Sequence, residues 1–136
     1  MCVKQISVFV QSKPGHLLRV LNAFAENNVS VRGFSASDTG DYGIVRFVVD
    51  KPSVALDVLS NLGFAATTTD VLCMKLADTP GALEHVIKVL AENNINVQYS
   101  YSLISTYICI RTSNETKAKE VLEKSGVSLL SQSDFS

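Results

Sequence analysis

The stretch from Pro14 to Val31, PGHLLRVLNAFAENNVSV, returns almost letter for letter from Pro80 to Val97 as PGALEHVIKVLAENNINV. The offset is 66 residues (80 − 14), close to half of the 136-residue chain and longer than an ordinary solenoid period. The chain is therefore two copies of one module, expected over residues 1–69 and 70–136. The likeness continues beyond the helix, where GIVRFVVDKPSVALDVLSNLGF from Gly43 aligns with TYICIRTSNETKAKEVLEKSGV from Thr106 at an offset of 63 (106 − 43). A three-residue deletion (66 − 63) thus falls in the second copy's counterpart of the stretch between Arg32 and Gly43, where a loop is expected.

Working outward from the quoted stretch, Leu17, Val20, Leu21, Phe24 and Ala25 recur at helical spacing, and Asn27 and Asn28 stop the helix. Before it, residues 5–11 alternate as a strand with Ile6, Val8 and Val10 on one face, ended by Ser12, Lys13, Pro14 and Gly15. After it, the β-rich runs 29–35 and 43–49 flank the polar stretch from Ala36 to Tyr42 and should pair as a hairpin. Pro52 opens a second helix with a Val54, Val58, Leu59, Leu62 stripe and a stop at Gly63, and residues 64–69 can form a last strand. The second copy repeats this as strand 71–77, helix 80–93, strands 95–101 and 107–111, helix 116–125 and strand 127–131, with Leu83, Val86, Ile87, Leu90 and Ala91 as the first helical stripe. This order predicts an α+β fold of two ferredoxin-like βαββαβ modules, each an antiparallel sheet with its helices on one face. Paired modules are expected to join side by side into one continuous sheet of about eight strands.

With 46% hydrophobic and 18% charged residues the chain has ample material for a core. Each half alone is near the size at which one core is only marginally stabilising, so association into a homodimer is expected. A net charge of −1, with 12 scattered Lys and Arg, offers no field for a polyphosphate backbone and argues against nucleic acid. No apolar run reaches the ~18 residues needed to cross a bilayer, and MCVKQISV lacks the regions of a signal peptide, so a cytoplasmic protein with no membrane partner is expected. Cys2, Cys73 and Cys109 form an odd set without a close pair, which speaks against disulfides and zinc knuckles and for small buried hydrophobes.

The chemistry concentrates where strand enters helix, at Ser12-Lys13-Pro14-Gly15 and Asp78-Thr79-Pro80-Gly81. Free N–H groups at a helix start and the positive end of its dipole favour a carboxylate, and Gly lets a ligand approach the main chain without meeting a Cβ. Asp78, two residues before Pro80, could accept hydrogen bonds from an ammonium, so one turn could hold both ends of an amino-acid zwitterion. The alternative is structural: Asp78 or Thr79 caps the helix, with Pro80 at an early helical position.

The stretch DTPGALEHVIKVLAENNINV, Asp78 to Val97, resembles the small-molecule-binding ACT domain. That pattern has an acidic or amide residue, any residue, Pro-Gly, an apolar position filled here by Leu83, then a helix ending in Ala-Glu and an Asn-containing entry to the next strand. The resemblance covers the whole chain as two tandem ACT domains and implies that Asp78, Thr79 and the backbone around Gly81, Ala82 and Leu83 grip an amino acid at an interface between modules, with Asn96 contributing an amide. In the first copy the same positions are Ser12, Gly15, His16, Leu17 and Ser30, so carboxylate and amide have both become hydroxyls. His16 beside Gly15 could face a ligand, whereas His85 falls within a helix; the two make no metal site.

Taken together, the reading predicts a stand-alone regulatory protein that binds a free amino acid at module interfaces. It would regulate a separate enzyme of amino-acid metabolism or its own assembly, with no cofactor and no metal. The alternative is a structural or interaction subunit of a metabolic enzyme complex that binds no ligand. An enzyme is disfavoured because no nucleophile has a matching base and the turn glycines fit neither a phosphate-cradling loop nor a nucleophile elbow. Other ferredoxin-like binders are disfavoured too: the turn has no C-x-x-C for a soft metal, and the charge is wrong for RNA.

Overall fold

The computed structural model describes residues 2–11, 13, 15–38, 40, 42–104 and 106–136. The elements are β1 (Val3–Gln11), α1 (His16–Glu26), β2 (Val31–Asp38), β3 (Tyr42–Val49), α2 (Pro52–Asn61), β4 (Ala65–Lys75), α3 (Ala82–Glu92), β5 (Val97–Ser102), β6 (Tyr107–Thr112), α4 (Glu115–Lys124) and a terminal 3-10 turn, Gln132–Phe135. They form two compact units, one of Lys4–Thr69 with Phe135–Ser136, the other of Asp70–Asp134 with Met1–Val3.

The N-terminal unit lays its strands in the order β2-β3-β1-β4, and the C-terminal unit repeats it as β5-β6-β4, with Leu129 bridging to Met74 in the fourth place. All registers are antiparallel, for example Val8 opposite Val45 and Cys73 opposite Cys109. Each unit is thus a ferredoxin-like module. Among the described residues the eight expected strands are six. Residues 64–69 and 71–77, read as separate strands, belong to the single strand β4, because TTTDV between them holds neither Gly nor Pro and its β-branched residues favour extended backbone. Residues 127–131, read as a strand, make only the Leu129 bridge and a hydrogen bond from the Leu130 N–H to the Cys73 carbonyl (2.8 Å). The chain then tightens into the 3-10 turn, where Asp134 accepts from the Ser131 N–H at 2.7 Å.

One face of each sheet is sealed by its two helices. In the first core Ile6, Val8 and Phe47 meet Val20, Phe24 and Leu59, with Phe24 edge-on to Phe47 at 5.2 Å. In the second, Leu72, Met74 and Ile110 meet Val86, Leu90 and Leu122. Cys73 and Cys109 are fully buried, as their apolar surroundings predict. The hydrogen bond between them, with burial, pushes the Cys73 thiol well above its ordinary range, so it is not a reactive thiolate.

The Glu-Asn-Asn that ends both first helices works identically twice. Asn27 and Asn93 donate through Nδ2 to the carbonyls of Ala23 and Val89, each at 2.8 Å. Asn28 and Asn94 then adopt the left-handed conformation (φ 56° and 55°), letting the Val29 and Ile95 N–H groups close back on Phe24 and Leu90 at 2.9 Å. A lysine from the start of the second helix completes each end: Lys51 Nζ donates to the Asn28 carbonyl and Lys117 Nζ to that of Asn93, at 2.8 and 3.0 Å. Because a left-handed residue with a full Cβ costs about 1–2 kcal/mol, Asn94→Ala should lower unfolding free energy by about 1 kcal/mol in urea titrations while Asn94→Gly is near neutral.

Candidate functional site

Both strand-to-helix turns are built the same way. Gly15 and Gly81 are the N-cap residues of α1 and α3, both left-handed (φ 89° and 86°), and neither helix has a side-chain cap among the described residues. The alternative that Asp78 or Thr79 caps the helix, with Pro80 as an early helical residue, is corrected: α3 begins at Ala82, its N-cap is the left-handed Gly81, and no side-chain cap bond is made there among the described residues. What Thr79 supplies is its carbonyl, which accepts from the Ala82 N–H at 3.3 Å. The first intrahelical bond runs from the His85 N–H to the Gly81 carbonyl (3.0 Å). The N–H groups of Leu83 and Glu84 therefore have no hydrogen-bond partner among the described residues. An ideal Cβ placed on Gly81 or Gly15 meets no atom within 4 Å, so the space before each corner is open.

Beside the second turn lies a hollow of about 250 Å³ lined by Leu76, Asp78, Leu83, Ser102, Thr106 and Tyr107, among others. Asp78 is exposed there and makes no hydrogen bond among the described residues. Tyr107, Thr106 and Ser102 were not singled out in the sequence. Register brings them in, with Lys75 opposite Tyr107, Ser102 opposite Ile108, and Leu76 donating to the Thr106 carbonyl at 2.9 Å. The three-residue deletion is the one signal that could have found them. It shortens β5 and β6 to six residues each, against eight in β2 and β3.

Asn96 does not join Asp78 in that hollow. It lines a second one, of about 530 Å³, with Ile87, Leu90, Ala91, Asn94 and Ile95. Its main chain is fixed in both directions, donating to Ser113 Oγ at 3.1 Å and accepting from the Ser113 N–H at 3.0 Å, while its side chain is exposed. The two hollows lie along one helix face, because Leu83 of the first and Ile87 of the second are four residues apart. Leu83 and Ile87 are 49% and 39% exposed. The sequence stripe groups them and Ala91 with the packing residues; instead Val86, Val89 and Leu90 carry the packing, and the 83–87–91 row is an exposed flank of the same helix.

The first copy differs in detail. Leu17 and Leu21 are drawn partly into the core, Ser30 is half-buried, and its N–H donates to Asp50 at 2.8 Å. His16 is half-buried, and its Nδ1 is sealed from solvent without a hydrogen-bond partner among the described residues. Ser12 and Pro14 lie outside the described residues. His85 lies near the Ser125 carbonyl (3.3 Å), and Arg19 at the matching place of the first copy stacks over Phe64, so this position ties helix to helix end in both units. No group of three metal-ligating side chains occurs among the described residues. Among the described residues no helix is long and apolar enough to cross a membrane.

A pair of ferredoxin-like modules, each with a glycine-cornered helix start, is what these observations define. The chain belongs to the ACT domain pair family, whose model matches residues 1–136. Its structure is similar to protein BT0572 from Bacteroides thetaiotaomicron, with a TM-score of 0.94 and 33% identity over 99% of this chain and 96% of that one. It shares its fold with the regulatory subunit of aspartate kinase from Thermus thermophilus in ligand-free form (TM-score 0.66, 20% identity, 91% of each chain). The corresponding subunit from Thermus flavus is similar at TM-score 0.64 and 19% identity over 90% of each chain. No curated protein matches the chain.

Because the Cβ added by Gly81→Ala meets nothing, that variant should stay folded and lose only the cost of the left-handed backbone, about 1–2 kcal/mol. Urea unfolding checks this, with an unchanged m-value and a lowered midpoint expected.

Proposed function

We propose that this chain is a regulatory protein that binds a free amino acid and passes the occupancy to a separate enzyme or to its own assembly. The observation that carries the reading is the corner at Gly81. There the unpartnered N–H groups of Leu83 and Glu84 begin α3 beside open space, and the Asp78 carboxylate stands at the same hollow. A carboxylate would lie on the amides, favoured by the helix dipole, and an ammonium on Asp78. Leu83 and Tyr107 would line the side-chain end.

In this proposal the modules span 1–69 and 70–136, and the second carries the stronger grip. The first, built from Gly15, His16, Leu17 and Ser30 with Ser12 in the place of Asp78, would differ in selectivity. The Leu83–Ile87 row supports assembly, since exposed leucine and isoleucine on one flank gain from being covered by a second copy or by a partner enzyme. Asn96, at the far end of that row, would meet the ligand once the flank is covered. The chain itself performs no catalysis and needs no cofactor, and its place is the cytoplasm. That the fold serves as the regulatory subunit of aspartate kinase in Thermus thermophilus supports a role beside, rather than within, an enzyme.

The same row would equally suit an interaction subunit that binds no ligand. Isothermal titration with each of the twenty amino acids, on the parent chain and on Asp78→Ala, separates the two. At least one amino acid should bind the parent, and losing a charge-assisted partner should weaken it by about tenfold to a hundredfold in the variant. Equal affinity in both would remove the site, and no binding by any amino acid would leave the interaction subunit.

A further inference from the structure

Two fully buried thiols line neither of the hollows along α3. Cys73 and Cys109 stand 36 residues apart in the sequence (109 − 73), and the pairing of β4 with β6 sets them directly opposite one another. The phase of the ladder is fixed by the Leu76 N–H, which donates to the Thr106 carbonyl at 2.9 Å. These two residues continue the register one step past Lys75 and Tyr107, so theirs is a hydrogen-bonded pair. By alternation Met74–Ile108 is hydrogen-bonded as well, while Lys75–Tyr107 and Cys73–Cys109 are not. The Cys73 carbonyl accordingly turns away from β6 and accepts from the Leu130 N–H at 2.8 Å. A non-hydrogen-bonded pair brings its Cα atoms to about 4.5 Å, within the span of about 4.4–6.8 Å that a disulfide bridges.

Alternation along the strands also puts both sulfurs on one face. Leu72 and Met74 enter the core beneath the helices, as do Ile108 and Ile110, so Cys73 and Cys109 between them point to the opposite face. There the Cys73 S–H donates to the Cys109 sulfur, and Tyr101, opposite Cys109 on β5, hydrogen-bonds to it from the other side. The internal repeat shows that the fold does not require sulfur in this row. At the aligned positions the first sheet has Ser7, Arg46 and Ser35, in the same cross-strand register. Cys2, the third cysteine, is half-buried and packs with the helix-covered core instead.

We infer that Cys73 and Cys109 form a peroxide-responsive latch, a cross-strand disulfide that closes on oxidation, draws β4 and β6 together and is felt at Tyr107. Neither thiol meets solvent while seated in the sheet, so the reaction runs through local opening of the strand pair. The Cys109 sulfur attacks one oxygen of hydrogen peroxide, the O–O bond breaks, and a sulfenic acid and one water result. The Cys73 sulfur then attacks the sulfenic sulfur, the S–S bond forms, and the hydroxyl leaves with the Cys73 proton as a second water. The two thiols give up two electrons and two protons, and the peroxide takes both. Facing Cβ atoms lie about 4.5–5.5 Å apart in a sheet and about 3.5–4.5 Å apart in a disulfide, so closure narrows the gap between the strands. Tyr107 and Leu76, which line the Gly81 hollow, lie two and three residues beyond the bond on those strands. The latch is independent of the amino-acid reading, and no ligand enters its test.

Hydrogen peroxide applied to the folded full chain, followed by non-reducing digestion and mass spectrometry, tests this, with Cys2→Ser as the background that removes the competing thiol. A linked Cys73–Cys109 peptide should appear, the chain should lose the mass of two hydrogens, and dithiothreitol should restore it. The Tyr107 amide should shift in the NMR spectrum of the oxidised chain while that of Val20, in the first core, stays in place. Cys73→Ser in the same background should give a Cys109 oxyacid and no linked peptide; if that variant fails to fold, the peptide map and the Tyr107 shift decide alone. Both thiols still free at a dose that oxidises the chain in urea, separate oxyacids without a link, a link that forms only in urea, or an unmoved Tyr107 amide would each overturn the proposal.

Discussion

The left-handed backbone at Gly15 and Gly81 is the constraint on which the rest of this molecule depends. An extended strand must enter a helix within a few residues, and at both corners the residue that makes the turn has no Cβ. With Gly as the N-cap no side chain reaches back to satisfy the first helical amides, so donors that most helices pair with a serine or aspartate stay available. A feature that weakens the helix start slightly is also the one that leaves it receptive to an anion.

Around that corner the two copies share their scaffold and differ in their surfaces. The helix ends match through the side-chain bonds of Asn27 and Asn93 and the left-handed Asn28 and Asn94, and each takes a lysine, Lys51 on the Asn28 carbonyl and Lys117 on that of Asn93. This common frame fixes where the turns and sheet edges lie. The flank does not match: Leu17 and Leu21 sink partly into their core, while Leu83 and Ile87 stay in water.

Much of the fold was legible because its signals are local and occur twice. Period-2 runs, 3.6-period stripes, Pro-Gly entries and Asn-Asn exits each have a mechanism that acts within a few residues. What escaped was decided at longer range. TTTDV carries no breaker and so allows one continuous strand, but that β4 runs unbroken is seen only in its place between β1 and β6. The helical stripe shows which side of α3 is apolar but not how much of it the sheet covers, so it groups Leu83, Ile87 and Ala91 with the packing residues. Asp78, Gly81 and Leu83 were found by their turn, whereas Tyr107 reaches the same hollow only through the register of β6 on β4. Asn96, grouped with them by resemblance, lines a different part of the α3 flank.

If the exposed amides of the Gly81 corner are a receptor for the acid group of an amino acid, their exchange with solvent should respond to it directly. Amide hydrogen exchange at Leu83 and Glu84, followed in the presence and absence of a saturating mixture of the twenty amino acids, tests this most directly. The account predicts that both amides slow by about tenfold or more while those of the Asn28 helix end are unchanged. Exchange at Leu83 and Glu84 that remains as fast with the mixture as without it would contradict the account.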